Sequence, residues 1–366
     1  MDIAEIQTIP GALEMFKVMT TGFLAFLVAF LFTPAWTHIL YKYKIGIKIK
    51  KTGVEGDRLT YVSKLHAKKG GTPTMGGVIV WVSVIILAIS SQYLLPFVAK
   101  LYDTHFIARL DFLSREETYL PLFALAAAGI LGLFDDIMSV RGWGSNKGGG
   151  MRFIMRFGWL VAIAGLGAWW FYHKLEWDLL HLPGIGDFAI GLWYVPLFIS
   201  VILFTAFSSN ETDGLDGLNA GVLLMAFASF AIIAFYQDKF DLAAFCAAIS
   251  GALLAFLWFN IYPARFFMGD TGAVGLGATL GVVALLTNSV IALFIIVLIY
   301  SLESGSAFVQ IISKKYFHRK VFLAAPIHHH FEALGWPEPK IVMRAWVFTF
   351  FTAGAGLLIG IIGGGS

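Results

Sequence analysis

Hydrophobic residues form long unbroken runs along this chain, and polar residues are confined mainly to the segments between those runs. Strand-like alternation of polar and apolar residues is absent from the runs. A helix needs about 20 apolar residues to cross the hydrocarbon core of a membrane, and it satisfies its own backbone hydrogen bonds. The pattern predicts ten membrane-spanning helices, at approximately residues 17–40, 75–98, 119–134, 153–172, 190–207, 218–236, 242–260, 272–287, 290–312 and 343–362.

The predicted fold class is therefore an all-α polytopic membrane protein. Residues 1–362 form a single integral membrane domain, and residues 363–366, Gly-Gly-Gly-Ser, resemble a linker. Composition supports this class, because 58% of the residues are hydrophobic and only 13% are charged, whereas soluble globular domains carry about 25% charged residues. The mean hydropathy is +0.78. Cys246 is the only cysteine, so an intramolecular disulfide is excluded.

Lysine and arginine lie mostly in every second polar segment. Segments 41–73, 135–152, 208–217, 261–271 and 313–344 hold 19 of the 26 basic residues, and the alternate segments hold six. Basic residues favour the cytoplasmic side of a membrane, so the first set is predicted to be cytoplasmic. An even number of spans then places both termini on the periplasmic side. The net charge of +3 is too small to indicate a nucleic-acid partner.

Acids, amides, histidines and glycines concentrate in the same five predicted cytoplasmic segments. Known motifs for other chemistries are missing: the chain has no GxxxxGK[ST] phosphate loop, no GxGxxG, no HExxH and no CxxC. The five segments contain, in order, Lys69-Gly-Gly-Thr-Pro-Thr74-Met-Gly-Gly77, Phe134-Asp-Asp136, Asn210-Glu-Thr-Asp-Gly-Leu-Asp-Gly-Leu-Asn219, Asn260 with Phe267-Met-Gly-Asp270, and Pro326-Ile-His-His-His330.

Each of these features also has a structural interpretation. Asp135 and Asp136 can be solvated acids at a helix end, although an anion is unfavourable at a helix C-terminus and indicates a cation nearby. The segment from Asp213 to Gly217 can be a turn and helix cap. The histidine triplet can be hydrogen-bonded within a loop, and Phe267 can be an aromatic residue at the membrane interface. The residues alone leave both interpretations open.

The polar residues lie at the ends of the predicted spans and not at mid-membrane, which favours a reaction at the membrane surface over transport. Several carboxylates beside an anionic phosphate would repel it unless a cation lay between them. Mg²⁺ is bound by one or two carboxylates together with substrate phosphates and water. The pattern thus favours phosphoryl transfer between a nucleotide-linked donor and a lipid acceptor, with lysines holding the remaining phosphate charge.

The motifs GTPTMGG, FDD, TDGLDGL, FMGD and PIHHHFEALGWPEP resemble the phospho-N-acetylmuramoyl-pentapeptide transferase family, within the polyprenyl-phosphate N-acetylhexosamine-1-phosphate transferases. The resemblance runs in family order from Lys69 to about Arg344. It implies ten transmembrane helices, both termini outside, in the bacterial cytoplasmic membrane. It also implies the reaction of UDP-N-acetylmuramoyl-pentapeptide with undecaprenyl phosphate, dependent on Mg²⁺, giving lipid I and UMP. The oligomeric state, a homodimer included, is left open.

The same resemblance implies roles for individual residues. Asp270 is the expected Mg²⁺ ligand, and Asp135 is the expected base at the lipid phosphate, with Asp136 beside it. Phe267 is expected to stack on uracil, and Lys69 to contact phosphate. The remaining expected substrate-binding residues are Thr74, Asn210, Asp213, Asp216, Asn260, His328, His329 and His330.

Four positions depart from the usual family pattern. Glu211 and Asn219 replace a leucine and an alanine, and Phe207 stands where an asparagine is common. Ser139 stands where a lysine often follows the double aspartate, and Lys147 is a candidate replacement. Because Glu211 adds negative charge, we expect either tighter metal dependence or a side chain that points away from the site.

The expected mechanism is direct attack by the lipid phosphate. The second pKa of a phosphate monoester is about 6, so the lipid phosphate is mostly dianionic at pH 7. Most molecules therefore carry no proton that a general base would need to remove. A covalent aspartyl-phosphate intermediate is the competing route. Alternative functions are transfer of N-acetylglucosamine-1-phosphate to a polyprenyl phosphate, a transporter or flippase, and a structural membrane scaffold.

Overall fold

The computed structural model describes residues 11–43, 45–46, 69–101, 110–114, 116–144 and 149–363. The candidate lysine Lys147, the lysines from Lys48 to Lys68 and the end of the predicted linker lie outside these residues. The described chain is mostly helical, as predicted. Its helices are α1 (Ala12–Lys42), α2 (Val78–Ile89), α3 (Leu95–Leu101), α4 (Tyr119–Arg141), α5 (Phe153–Lys174), α6 (Tyr194–Thr212), α7 (Leu218–Tyr236), α8 (Phe240–Asn260), α9 (Gly269–Leu286), α10 (Val290–Ile296), α11 (Leu298–Phe317), α12 (Ile327–Ala333) and α13 (Glu338–Ile362).

The helices confirm a polytopic membrane protein. Within the described residues, nine helical stretches are long and apolar enough to cross a membrane, counting α2 with α3 as one. The pair α10 and α11 is bent by 76° and makes ten if it counts as a single span. The predicted boundaries are least accurate where polar residues continue a helix. Helix α4 continues past residue 134 to Arg141, and α6 continues past residue 207 to Thr212, so Asp135, Asp136 and Asn210 are helical.

The all-α prediction missed one small sheet in the connection between α5 and α6. Strands β1 (Leu179–Leu182) and β2 (Gly186–Ala189) pair in an antiparallel hairpin. The turn between them contains Gly184, whose φ of +77° suits a glycine. His181 Nδ1 lies 2.6 Å from Asp187 Oδ1 across the hairpin. Four-residue strands are too short to produce a recognisable alternation, and the sequence therefore did not reveal them.

Helix α9 is the buried centre of the bundle, packed against α4 on one side and α6 on the other. Its sequence is rich in glycine and alanine, and small residues allow helix backbones to approach closely in a membrane. Gly132 of α4 lies directly against the backbone carbonyl of Asp270, where a side chain would overlap that carbonyl. This contact places Asp135 and Asp136, on the next turn of α4, beside the beginning of α9.

The polar contacts separate into two groups at opposite ends of the bundle. At one end Lys17 is paired with Asp241, and Asn288 accepts a hydrogen bond of 3.0 Å from the backbone N–H of His181. The other end contains the predicted site residues. The bent pair α10 and α11 begins just after Asn288 and reaches the site end at Glu303, and it therefore connects the two ends as one crossing.

Candidate functional site

The candidate site is built around the first turn of α9, where Asp270 receives hydrogen bonds from two other helices. Asn210 Nδ2, near the end of α6, donates to one carboxylate oxygen at 2.6 Å. Arg156 Nη1, from the first turn of α5, donates to the other oxygen at 2.8 Å. The Asp270 side chain is 28% exposed, which makes it more accessible than Asp135 and Asp136, both of which are buried. It is thus fixed in orientation while remaining open to a ligand.

Asp135 lies beside Asp270 but is buried. Its Oδ1 accepts a hydrogen bond of 2.6 Å from the backbone N–H of Met151, and its Oδ2 lies 3.3 Å from Arg156 Nη1. One guanidinium nitrogen therefore contacts both Asp135 and Asp270. Arg156 is therefore a cation beside both acids, although α4 continues to Arg141 and the acids do not end it.

Asp136 points to the N-terminus of α9. Its two oxygens accept hydrogen bonds from the backbone N–H groups of Asp270 at 3.3 Å and Thr271 at 3.0 Å. These are amides that the helix itself leaves unpaired, and an anion is favourable at this end of a helix. Asp136 thereby holds the segment that carries Asp270, while its expected catalytic role stays a prediction.

Asp213 and Thr74 approach the beginning of α9 from two other segments. Asp213 Oδ2 accepts a hydrogen bond of 3.2 Å from the backbone N–H of Gly269. Burial raises the pKa of Asp213 well above its usual value, and the negative charge of Asp270 raises it further. Thr74 is buried, and a side chain at Gly269 would lie 2.6 Å from its hydroxyl oxygen. Gly269 has a φ of +75° and therefore suits this crowded turn.

Lys69 joins three segments that are distant in the sequence. Its Nζ donates to Asp216 Oδ1 and to Glu338 Oε1, both at 2.6 Å. Burial alone would lower the pKa of Lys69, but the two carboxylates outweigh it and the pKa is raised. The ring of Phe267 lies 5.5 Å from Nζ. Lys69 is thus a permanently charged group beside the aromatic ring predicted to stack on uracil.

Asp216 and Asn260 stabilise the loop that follows α6. Asp216 Oδ2 accepts a hydrogen bond of 3.0 Å from the backbone N–H of Ala264. Asn260 Oδ1 accepts from the backbone N–H of Gly217 at 3.1 Å, and its Nδ2 donates to the carbonyl of Phe266 at 2.9 Å. Both ends of the Asn260 amide are therefore paired with backbone, and its expected contact with the donor stays a prediction.

His328 is buried and packed beneath the same loop. The triplet begins the short helix α12, and the ring centroids of His328 and His329 lie 4.1 Å apart. His328 Nδ1 lies 2.8 Å from Glu303 Oε2, and both side chains are at most 2% exposed. Its Nε2 has no hydrogen-bond partner within the described chain and faces Gly214, where any side chain would overlap the ring. His328 thus supports the turn between Asp213 and Asp216.

The other two histidines have local partners. His329 Nδ1 lies 2.7 Å from Glu332 Oε2, one turn further along α12. His330 Nδ1 accepts a hydrogen bond of 3.2 Å from the backbone N–H of Leu323. The expected contacts of both histidines with the donor stay predictions.

The departures from the family pattern have clear structural positions. Glu211 is exposed near the end of α6. Asn219 is buried, and its Oδ1 accepts a hydrogen bond of 2.6 Å from the hydroxyl of Tyr300. The ring of Phe207 lies 6.0 Å from the Arg156 guanidinium and packs against Phe153.

Three charged residues of the site were not predicted from the sequence: Arg156, Glu303 and Glu338. Arg156 and Glu303 fall inside predicted spans, and an ionisable residue inside a span indicates function or a buried partner. That signal was available for both. Glu338 begins α13 in the GWPEP sequence, and nothing in its spacing indicated a contact with Lys69.

The donor set suits a metal held jointly with a substrate. Among the residues that the structure describes, no three histidine, cysteine or acidic side chains converge on one point as a complete metal cage. Mg²⁺ seldom uses such a cage, because one or two carboxylates with phosphate oxygens and water satisfy it. Asp270 is oriented by two donors and remains accessible, so it fits this arrangement, and Asp135 is the nearest second carboxylate.

Comparison with known proteins gives consistent matches. A family model described as glycosyl transferase family 4 matches residues 119–288. A phospho-N-acetylmuramoyl-pentapeptide-transferase of Geobacillus sp. (strain WCH70) is 35% identical over 338 residues, which cover 92% of this chain and 95% of the relative. Proteins of the same name from Chloroflexus aggregans and Anoxybacillus flavithermus are 32% and 33% identical, covering 96% and 94% of this chain and 91% and 96% of themselves. The similarity therefore spans nearly the whole chain and includes the candidate site.

Proposed function

This chain belongs to the phospho-N-acetylmuramoyl-pentapeptide-transferase family, and from that premise we propose that it transfers phospho-N-acetylmuramoyl-pentapeptide from its UDP-linked donor to undecaprenyl phosphate. The products are lipid I and UMP, and the reaction is a step of peptidoglycan synthesis. The observation that carries the proposal is the meeting of Asp135, Asp213 and Asp270, from three separate segments, around the first turn of α9.

The membrane topology is part of the proposal. The site end of the bundle faces the cytoplasm, where the UDP-linked donor is available, and both termini are periplasmic in the bacterial inner membrane. The excess of lysine and arginine in the segments at the site end supports this orientation. The lipid phosphate then lies at the inner membrane surface, at the same depth as the site.

In the proposed mechanism an oxygen of the lipid phosphate attacks the sugar-linked β-phosphorus of the donor. The bond from that phosphorus to the bridging oxygen breaks, and UMP leaves with the electron pair. The attacking phosphate is mostly dianionic at pH 7, so Asp135 has little proton to accept. Asp270, with Asp135 nearby, would hold Mg²⁺, which would neutralise the phosphate oxygens. Lys69 supplies positive charge beside the ring of Phe267.

The alternatives make distinct predictions. A two-step route through an aspartyl phosphate would give ping-pong kinetics and a phosphorylated enzyme, whereas direct attack requires a ternary complex. Transfer of N-acetylglucosamine-1-phosphate would show as a preference for UDP-N-acetylglucosamine. The identity of the relatives and the PIHHHFE sequence favour the muramoyl-pentapeptide donor over this second candidate. A transporter would move solute without releasing UMP.

The proposal is tested by release of UMP from purified protein. We expect release to require UDP-N-acetylmuramoyl-pentapeptide, undecaprenyl phosphate and Mg²⁺ together, and to stop with EDTA and resume when Mg²⁺ is restored. Replacement D270N removes the accessible carboxylate and is expected to lower kcat at least about 100-fold. The matched control is E211Q, which removes an exposed acid at the same end of the bundle and should keep wild-type activity. Absence of UMP release with all three components present would refute the proposal.

A further inference from the structure

Arg156 occupies a central position among the acids of the site. It lies in the first turn of α5, and its Nη1 is 2.8 Å from Asp270 Oδ2 and 3.3 Å from Asp135 Oδ2. Its side chain is 20% exposed, comparable to that of Lys69. Arg156 thus contacts both carboxylates through a single nitrogen.

Two carboxylates this close to one atom repel each other strongly, because they lie at the edge of a low-dielectric interior. The hydrogen bonds from Met151 to Asp135 and from Asn210 to Asp270 are neutral and cannot cancel two charges. The guanidinium offsets one of the two charges, since it is always protonated, and it offers several donors in one plane to both carboxylates. Without it, the mutual repulsion of the two carboxylates would favour separation of their side chains.

The position of the guanidinium is set by aromatic packing as well as by the acids. The ring of Phe207 lies 6.0 Å from it, within the range of a cation–π contact. Phe207 packs in turn against Phe153 and Phe157 of α5, with ring centroids 5.4 Å and 6.2 Å away. Phe207 is one of the departures from the family pattern, and here it flanks the charge that joins the acids.

We propose that Arg156 is a positioning residue for the transfer reaction. It holds Asp135 and Asp270 side by side through one guanidinium nitrogen, and thereby keeps Asp270 in the orientation that the metal and the phosphates require. This inference rests on the proposed function. It also gives a structural account of the departure at Ser139: positive charge reaches Asp135 from α5 and not from the end of α4.

Ser139 provides a direct test of that account. It lies one helical turn after Asp135, and a side chain at Gly150 would lie 2.6 Å from Ser139 Oγ and 3.0 Å from Asp135 Oδ1. The two side chains thus face the same small space, and a lysine at position 139 can reach the Asp135 carboxylate. The experiment compares R156Q, R156K and the double variant S139K/R156Q in the UMP-release assay, with thermal unfolding in detergent measured for each.

We expect R156Q to lower kcat about 100-fold while KM for the UDP-linked donor changes less than about threefold, because Arg156 orients acids and is not proposed to bind the donor. R156K and S139K/R156Q should each recover at least about tenfold of the lost kcat, since each restores a cation. The control R141Q removes an exposed arginine of α4 that stacks on Trp143 and should behave as wild type.

Two results would overturn the inference. One is an R156Q protein with kcat within threefold of wild type. The other is a loss of kcat in R156Q that neither R156K nor S139K/R156Q relieves, because a need for shape alone would not be met by a cation. If R156Q does not fold, R156K and S139K/R156Q decide: a kcat more than about 100-fold below that of the wild type in both would overturn the inference, because each keeps a cation beside the acids. Failure of the wild-type protein to release UMP would instead refute the proposed function.

Discussion

Gly214 shows how a single missing side chain can matter at this site. It lies in the turn between Asp213 and Asp216, and the ring of His328 fills the space where its side chain would be. The ring is held from the other side by the carboxylate of Glu303 at 2.8 Å. Nδ1 faces that acid, and this contact fixes the orientation of the ring. The His328 ring therefore packs against the turn between Asp213 and Asp216 and holds it in place.

We expect G214A to lower kcat at least about tenfold, because the new methyl group overlaps the His328 ring and displaces the loop. Gly214 has no positive φ, so alanine is compatible with its backbone conformation. The double variant G214A/H328A should be no less active than H328A, since the overlap disappears with the ring. The measurement is the UMP-release rate of all three proteins.

A suitable control is G305A, because Gly305 lies on the same helix as Glu303 and a side chain there meets no neighbouring atom. It should keep wild-type activity. Losses from G214A and H328A that simply add in the double variant would show that the two residues do not act on each other.

At the scale of the elements, the close packing of α4 on α9 determines where the acids lie. Gly132 faces the carbonyl of Asp270, and Gly129 lies about one turn earlier, with its Cα 3.0 Å from the position that a side chain on Gly275 would take. The glycines let the two backbones touch. That contact brings the carboxylate of Asp136 within reach of the first amides of α9.

We expect G132A to destabilise the protein by about 1–3 kcal/mol. The added methyl group would overlap the backbone of Asp270, which cannot move aside as a flexible side chain could. Activity should fall as well, since Asp135 and Asp136 lie on the next turn. The change is measured as the shift in thermal unfolding in detergent, together with kcat. G158A is the matched control, because a side chain at Gly158 in α5 meets nothing and the helix-propensity gain is the same. Equal unfolding temperatures for the two variants would contradict the prediction.

The elements also show the limits of the hydrophobic pattern. It located the spans because each run must match the membrane thickness, but it ended α4 and α6 at the first polar residues. In the structure both helices continue, since Asp135 and Asn210 find partners in α5 and α9 and need no exposure to water. Where a helix ends thus depends on whether neighbouring elements supply hydrogen-bond or ion-pair partners for its polar residues.

At the scale of the whole molecule, polar contacts lie at two ends of an apolar bundle. Lys69, Asp216 and Glu338 meet at the site end, although they are distant in the sequence, whereas Lys17 and Asp241 meet at the other end. Such a division follows if the polar segments alternate between two membrane surfaces. The single cysteine, Cys246, is buried and should not react with a labelling reagent. The orientation of the protein in the membrane can therefore be tested by labelling cysteines introduced at exposed positions.

We expect a membrane-impermeant maleimide to label K174C in intact cells. We expect it to label E211C only after the cell membrane has been permeabilised. Both positions are exposed, Lys174 at the end of α5 that precedes the hairpin and Glu211 at the site end. Wild-type protein, with only the buried Cys246, is the control and should stay unlabelled. Labelling of E211C in intact cells, without labelling of K174C, would mean that the proposed topology is inverted.

The sequence by itself determined the membrane class, the approximate spans and the five segments that supply the site, because span length and charge asymmetry are local properties set by the lipid environment. It also indicated a cation near the acids. Only the tertiary structure decided that Arg156 contacts Asp135 and Asp270, that Asp136 caps α9, and that Glu338 and Glu303 hold Lys69 and His328. These partners come from other helices, and pairing across a bundle depends on the distances between helices, which no local pattern encodes.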